Sequence, residues 1–513
     1  MWHHESICQV LKTNNKIIMR VIAFLFLILF ISCKMEKSNQ TTITIDASKK
    51  IHTMQGGMGA SWHALSKEIP LENEKYKYPI REIAPRGSAY GGNPPVSDTA
   101  AWNQIRDHAS WLGLNFIRVE LDQRMYEPER NQFDWDNEEM QALYLILDWC
   151  QTNGADVFLQ QMWGHVEWNA YSGVHPLLSA PANLDDFANG IATLLEYLTT
   201  QKGYTCINYF CMTNEPPGGP WGYWWEYGDA KGSINDAWKR LKEEFDARGI
   251  AIPISGPDWT SMPPFDESKL SFAPYLGSFD IHSYDGVTPE GEANLKRWAE
   301  WAHAQNKPFF MTEYGNMSLG YGDDHPGQKS FAAALSNAND VIRALRANVD
   351  GVNRWSFTNR GDLDGQWQLI QTYDRETKTY LKNVQPENEA YYGFGIISRF
   401  LSKYSSPVEV SVNQPDSVLM SVALMSPNGE LTVVVLNPSE KELKVDVEIN
   451  ALSDKQLNVY QVSQDLVNQP GFELNAIEKF NSTKKKQINL PGRSITTISS
   501  YLLADKDKGI IEN

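Results

Sequence analysis

Glu215 closes the segment Ile207-Asn208-Tyr209-Phe210-Cys211-Met212-Thr213-Asn214-Glu215-Pro216, and Glu313 closes Pro308-Phe309-Phe310-Met311-Thr312-Glu313. Each follows a short apolar run of the kind that forms a strand buried on both faces. Pro216 or Tyr314-Gly315 comes next, so each run stops there. A carboxylate in that position is presented at one end of a parallel barrel. At the C-terminal face of such a barrel, two carboxylates are the equipment of glycoside hydrolysis. One lends a proton to the glycosidic oxygen and takes one back from water, and the other attacks the sugar or activates water.

Other residues gather around this pair. Asn214 precedes the first glutamate and is suited to hydrogen-bond a sugar hydroxyl beside the scissile bond. Arg118, in Phe116-Ile117-Arg118-Val119-Glu120, is a charge inside an apolar strand, and buried charges are normally paired. A pair with Glu313 would keep that carboxylate ionised; Glu120 and Asp122 are the competing partners. His282 and Tyr284 alternate in Asp280-Ile281-His282-Ser283-Tyr284, so period 2 puts both on one face. On a lumen face Tyr284 donates to Glu313 and His282 touches substrate; otherwise His282 is a core histidine. Trp355 ends Val352-Asn353-Arg354-Trp355 and is placed to floor the subsite of the reacting sugar. Trp62, Trp163, Trp221 and Trp259, with Trp224, Trp225 and Trp367, lie at strand ends or in the loops beyond and are candidates to extend that platform. Trp102, Trp111, Trp149, Trp298 and Trp301 fall in helical segments and read as core. Glu120, Glu167, Glu226, Asp362 and Asp364 are rival carboxylates. His165, Glu167 and His175 have irregular spacing, which argues against a metal site. No Gly-x-Gly-x-x-Gly opens a helix, so no dinucleotide is implied, and no cofactor is expected.

The elements that must hold these side chains repeat eight times. Strand candidates end near Trp62, Asp122, Gly164, Glu215, Thr260, Tyr284, Glu313 and Trp355. Helical periodicity fills most gaps: 98–112, with Ser97 or Asp98 as cap, then 138–152, 184–200, 234–248, 294–305 and 328–348. Eight β/α repeats over residues 51–390 predict an α/β protein, a (β/α)8 TIM barrel with long loops at 63–97, 218–225 and 359–390. From residue 391 to 505 short alternating runs recur: 408–412, 418–425, 431–436, 443–449, 457–462 and 494–503. Pro427-Asn428-Gly429 and Pro491-Gly492 mark turns. This predicts a C-terminal antiparallel β-sandwich, which the alternating stretch 41–47 joins as one more strand. Residues 506–513 read as a frayed tail.

The chain has 513 residues and a formal net charge of −17, which disfavours nucleic acid and anionic membrane surfaces as partners. Its 17 Trp, 22 Tyr and 20 Phe are generous for packing alone, and indole stacks well on sugar faces. Arg20 precedes the apolar run Val21–Ile31, which has signal-peptide proportions and is short for a membrane span. Ser32-Cys33 at its end reads as a lipobox with Cys33 lipidated, and residues 34–50 as a polar tether and the joining strand. The expectation is a protein anchored to a bacterial cell envelope, at the outer-membrane surface or in the periplasm, touching membrane through its lipid alone. The remaining cysteines, Cys150, Cys206 and Cys211, predict neither a disulfide framework nor a zinc site, with Cys206 and Cys211 as buried thiols.

The ordered set Arg118, Asn214-Glu215-Pro216, His282, Tyr284, Thr312-Glu313-Tyr314-Gly315 and Trp355 resembles the clan A retaining glycoside hydrolases. Within that clan the chain looks most like glycoside hydrolase family 30. Ile43-Thr44-Ile45-Asp46 leading to Met54-Gln55-Gly56-Gly57-Met58-Gly59-Ala60 carries this similarity. So do Tyr391-Tyr392-Gly393, Ile397-Ser398-Arg399-Phe400 and the closing Leu490-Pro491-Gly492-Arg493-Ser494. Gly56-Gly57-Met58-Gly59 departs from that family's Gly-Phe-Gly signature. The resemblance implies Glu215 as acid/base, Glu313 as nucleophile, and an oligo- or polysaccharide substrate. It implies double displacement on a β-linked glycan. The long loops 63–97 and 359–390 read as walls of an open groove, which points to an endo-β-glycanase of β-glucan, β-galactan or xylan type. An exo-acting β-glycosidase and a non-catalytic glycan-binding lipoprotein are the alternatives.

Overall fold

The computed structural model describes residues 40–64, 75–78, 93–163, 166–216, 224, 234–284, 286–319, 326–358, 367–374, 377 and 379–501. Cys33 and its targeting segment, Trp221, Trp225, His165, Glu226, Asp362, Asp364 and the 506–513 tail lie outside them, as does the side chain of Trp163.

Eight parallel staves close a barrel. The first is interrupted at Ser61 into β2 (Met58–Ala60) and β3 (Trp62–His63). There follow β4 (Phe116–Asp122), β5 (Asp156–Trp163), β6 (Ile207–Cys211), β7 (Ile254–Trp259), β8 (Ser278–Ser283), β9 (Phe309–Tyr314) and β10 (Gly351–Arg354). Ring closure falls to the broken stave: β2 pairs with β10 and β3 pairs with β4. A Cβ on Gly59 would stand 1.8 Å from the Phe116 carbonyl oxygen, so only glycine lets the first stave lie this close to β4.

Every residue of β4 is buried, but its two faces differ. Ile117, Val119 and Leu121 pack outward into the main core beneath the helices. Phe116 turns inward and, with Phe158, Cys211 and Phe310, plugs the barrel floor. The polar side chains sit above that plug, Arg118 first. The helices lie at Thr99–Trp111, capped by Asp98, then Glu138–Thr152, Leu184–Glu196, Ile234–Arg248, Pro289–Ala304 and Phe331–Arg346. After β7 only two short 3-10 turns, Glu267–Lys269 and Ala273–Tyr275, occupy the helix position.

Two sequence expectations need correction. The boundary at residue 391 falls inside a helix, Asn388–Ser398, that follows the last stave and completes the helical ring. Gly393 is required in this helix because a Cβ there would come within 2.3 Å of the Ala334 Cβ, where it crosses the helix Phe331–Arg346. The 359–390 insertion is not all irregular either: Ile370–Asp374 and Thr379–Pro386 form an antiparallel hairpin.

The second domain is antiparallel but for one pair. Strand β1 (Thr41–Lys50) lies between Ser406–Val412, antiparallel, and Leu443–Asn450, parallel. Its Ile43, Ile45 and Ala47 point into the sandwich core. Met420–Met425 and Leu431–Asn437 are buried on both faces. One face enters the sandwich core through Ala423, Val433 and Val435. The other, through Val422, Leu424 and Val434, enters the barrel core. Two short strands escaped the sequence reading, Glu478–Asn481 and Lys486–Leu490, because they are rich in lysine and polar residues. Among the described residues no helix is long and apolar enough to cross a membrane.

Candidate active site

The polar residues of the lumen form one connected network at the C-terminal ends of the staves. Arg118 is fully buried on β4. Its Nη1 donates to Glu120 Oε1 at 2.6 Å and also to Glu313 Oε1, while its Nη2 donates to Asn214 Oδ1 at 2.8 Å. Asn353 Oδ1, on β10, accepts the Arg118 backbone N–H at 3.1 Å and holds that stave in place. The partner foreseen for Arg118 and its rival Glu120 are therefore both bound at once.

Glu313 stands near the end of β9, where the register against β8 slips by one residue between Ile281 and His282. Such a bulge re-aims side chains next to a site. Here Thr312 reaches Asp280 on β8 at 3.2 Å, and Glu313 turns into the lumen. Tyr284 donates its hydroxyl to Glu313 Oε2. Glu215 lies four residues beyond the end of β6, in the left-handed region with φ +48°, so it belongs to the turn rather than to the strand. His282 joins the two glutamates: its Nδ1 is 2.6 Å from Glu215 Oε1 and 3.3 Å from Glu313 Oε2. One ligand atom each from Glu215, His282 and Glu313 lies within 4.8 Å of the others.

Burial sets the electrostatics. It pushes the Glu313 carboxyl up to about 7, against the opposing pull of Arg118 and His282. Burial alone would drive His282 down, but the charges of Glu313 and Asp258 and its hydrogen bonds raise it well above its ordinary value. Burial and the Glu313 charge push the Tyr284 hydroxyl far up, so it stays protonated and donates. A buried arginine among carboxylates loses hydration but keeps its proton, and Arg118 is raised by Glu313, Glu120 and Asp258.

The aromatic expectations divide. Trp355, joined to Ser356 by a cis peptide, lies over the Arg118 guanidinium at 5.8 Å and edge-on to His63 at 5.1 Å, so it does border the network. Trp367 meets Tyr284 edge-on at 5.4 Å. Trp62 and Trp259 turn away from the lumen into the core beneath the helices. Trp62 is fully buried against Trp149 and Phe357, because it points outward from the first stave. Trp259 packs on Phe272 and Trp298, since a bulge at the end of β7 gives the lumen position to Asp258 instead. Trp224 is buried beside Phe187. Cys206 and Cys211 are buried free thiols, as is Cys150. Glu167 sits on the surface with Lys75 and Tyr76.

Four residues of the network were not singled out in the sequence as its partners. Asp258 binds His282 Nε2 at 2.9 Å, His63 binds Glu120, and Asn93 donates to the His63 carbonyl at 2.6 Å. Gln160 donates to Asp258 at 3.2 Å. Asp258 and His63 carried the same signal as Glu313, a polar residue at the end of an apolar stave. In each case a neighbouring tryptophan, Trp259 or Trp62, drew the reading away.

A parallel barrel with a buried carboxylate pair, an arginine and a tyrosine on one glutamate and a histidine between both defines a glycoside hydrolase. Residues 82–361 match the family model described as Cellulase (glycosyl hydrolase family 5), more than half of the chain, and the protein belongs to that family. Residues 405–498 match the Glycosyl hydrolase family 30 beta sandwich domain, in line with the resemblance to family 30. No curated protein matches the chain by sequence. Solved structures share the fold at low identity. The glycoside hydrolase family 30 subfamily 8 xylanase from Clostridium acetobutylicum is 16% identical over 89% of this chain and 99% of its own, with a TM-score of 0.59. The catalytic domain of xylanase C from Talaromyces cellulolyticus is 14% identical over 89% and 99%, with a TM-score of 0.63. An endo-beta1,6-glucanase is 15% identical over 91% and 96%, with a TM-score of 0.58.

Proposed function

We propose that the protein is a retaining endo-β-glycanase in which Glu313 is the nucleophile and Glu215 the acid/base. The observation that supports retention is the closeness of the two carboxylates, an oxygen of each lying within 4.8 Å of the other and of a His282 nitrogen. Retaining pairs stand about 5–5.5 Å apart, whereas inverting pairs leave about 6.5–9.5 Å for a water. Glu313 has the surroundings of a nucleophile, gripped by Arg118 and Tyr284 on separate oxygens. Asn214 offers its amide to the sugar, and Trp355 floors the reacting subsite. Endo action on a xylan or β-glucan is favoured by the names of the structural neighbours, two xylanases and an endo-glucanase. A β-galactan belongs to the same screen.

The reaction class is tested by proton NMR of fresh product. Retention requires the β-anomer to appear first and then mutarotate; initial α-anomer rejects the covalent route. Incubation with xylan, β-1,3-, β-1,4- and β-1,6-glucans and β-1,4-galactan, with product lengths recorded, identifies the sugar. Mixed oligomers from the outset support endo action, and monosaccharide alone overturns it.

The lipid anchor at Cys33 is proposed on its sequence context alone, Arg20, the apolar run to Ile31 and Ser32-Cys33. Radiolabelled palmitate incorporated into the full chain and lost in Cys33→Ala is the expected result. A soluble, unlabelled wild-type protein would reject the anchor.

A further inference from the structure

Asp258 has no part in the two-glutamate chemistry, yet the network is built around it. It is fully buried and takes a left-handed backbone, φ +55°, at the bulge between Pro257 and Trp259. A non-glycine residue seldom sits there, though aspartate is among those that tolerate it. Its Oδ1 faces His282 Nε2 at 2.9 Å. Its Oδ2 accepts the backbone N–H of Glu215 at 3.1 Å and Gln160 Nε2 at 3.2 Å, and lies 3.9 Å from Arg118 Nη2. On its remaining side are Cys211 and Asp280, one atom of each lying within 4.8 Å of an Asp258 oxygen. Burial and Asp258 itself push Asp280 far above the carboxylate range, so Asp280 keeps a proton and Asp258 is the ionised member. His282 in turn faces Glu215, Glu313 and Asp258, and Tyr284 stands beside it.

Both ring nitrogens of His282 point at carboxyl oxygens. A neutral imidazole has one N–H and one bare nitrogen, and an imidazolium has two N–H groups. Ionised Asp258 only accepts, so Nε2 must carry hydrogen. Nδ1 is then the nitrogen that shares a proton with Glu215 Oε1, either donating to the carboxylate or accepting from the acid. The same aspartate fixes the backbone of the acid through its N–H.

We propose that Asp258 is a positioning residue for proton transfer: by holding His282 Nε2–H and the Glu215 amide, it keeps the acid's proton on the line between Glu215 Oε1 and His282 Nδ1. This rests on Glu215 being the acid/base. In the first displacement that proton passes from Glu215 to the leaving oxygen, which takes the electron pair of the breaking C–O bond, while Glu313 supplies the pair for the new one. In the second, water attacks the same carbon, the bond to Glu313 breaks and returns its pair to that carboxylate, and Glu215 takes the water's proton. His282 and Asp258 end each cycle unchanged.

The test uses Asp258→Asn in the full chain, with phenyl and 2,4-dinitrophenyl β-glycosides of the sugar found in the product screen. The amide turns one acceptor into a donor, so either His282 or the Glu215 backbone loses its partner. For phenyl glycosides, which need the acid, kcat/KM should fall about 100-fold. For dinitrophenyl glycosides, which leave unaided, it should stay within about threefold, and the pH profile of the phenyl reaction should move. Equal losses on both would make Asp258 merely structural and overturn the proposal. In a Glu215→Ala background Asp258→Asn should add no loss on phenyl glycosides, and a further large drop also overturns it. Should Asp258→Asn not fold, nitrogen-15 histidine spectra of the wild-type chain decide. His282 Nε2 must stay protonated from pH 5 to 8, and its deprotonation in that range sinks the idea. Azide rescue of Glu215→Ala on dinitrophenyl glycosides separates the two readings. Rescue with an unaltered Asp258→Asn removes only this inference, while a fully active Glu215→Ala removes the acid/base assignment beneath it.

Discussion

Arg118 Nη2 donates to Asn214 Oδ1 at 2.8 Å, a bond that ties the second stave of the barrel to the turn carrying Glu215. Nη1 of the same guanidinium holds Glu313 and Glu120. One buried side chain therefore sets the spacing of both glutamates. It also orients the Asn214 amide: with Oδ1 spent on Arg118, the Nδ2 group is the donor left for a sugar hydroxyl.

Arg118→Met should be costly in two separable ways. Removing one partner of a buried ion pair leaves uncompensated carboxylates, at a cost of about 3–5 kcal/mol. Loss of the fork also releases Asn214 and Glu313, so kcat should drop at least about tenfold in whatever protein remains folded. Arg118→Lys restores charge without the fork and should recover stability more than activity. Urea unfolding and kcat on one substrate check both; a Met variant as stable and active as wild type would refute the role given to Arg118.

Glu313→Ala should lose about 10⁴-fold or more in kcat, because the variant lacks the carboxylate that attacks the sugar. Binding should survive, since Trp355 and Asn214 are untouched. Calorimetry with an oligosaccharide product separates the two effects. Undiminished turnover removes Glu313 from the mechanism.

The activity should rise with pH through about 7. Burial pushes the Glu313 carboxyl up to about 7, against the pull of Arg118 and His282. A nucleophile attacks only as the carboxylate, so below that pH the proton on Glu313 must first be lost and kcat/KM declines, about tenfold for each further pH unit down. A kcat/KM profile with 2,4-dinitrophenyl glycosides, which need no acid, that stays flat from pH 5 to 8 would contradict this.

The barrel was legible because its staves are apolar runs that end in polar residues, and because helical periodicity filled most gaps between them. The site was legible where a single residue carries the chemistry: Glu215, Glu313, Arg118, His282 and Tyr284 are brought into one network. One miss depends on a bulge. A one-residue slip in β7 sends Trp259 outward and Asp258 inward, and period 2 read along the strand assigns them the other way. The helix Asn388–Ser398 escaped because Gly393 and Gly395 lower helix propensity. Both are there for packing: a Cβ at Gly395 would lie 2.6 Å from the Trp111 ring.

Asp340, on the helix Phe331–Arg346, should make the fold less stable as pH rises from about 4 to 7. Burial pushes its carboxyl up to about 7, opposed by hydrogen bonds from the Val287 N–H at 2.7 Å and Asn339 Nδ2 at 2.9 Å and by Arg343. In the unfolded chain an aspartate loses its proton near 3.9. Between those values the folded chain holds a proton that the unfolded chain has released, so stability is fully present below about 4 and declines until about 7. Each pH unit of that window is worth about 1.4 kcal/mol, giving a total on the order of a few kcal/mol. Asp340→Asn keeps a carbonyl oxygen for the Val287 amide and cannot ionise. It should match wild type at pH 4.5 and exceed it at pH 8, by several degrees in Tm. A wild-type Tm that does not fall relative to the Asn variant across that range would show that Asp340 is ionised in the folded protein.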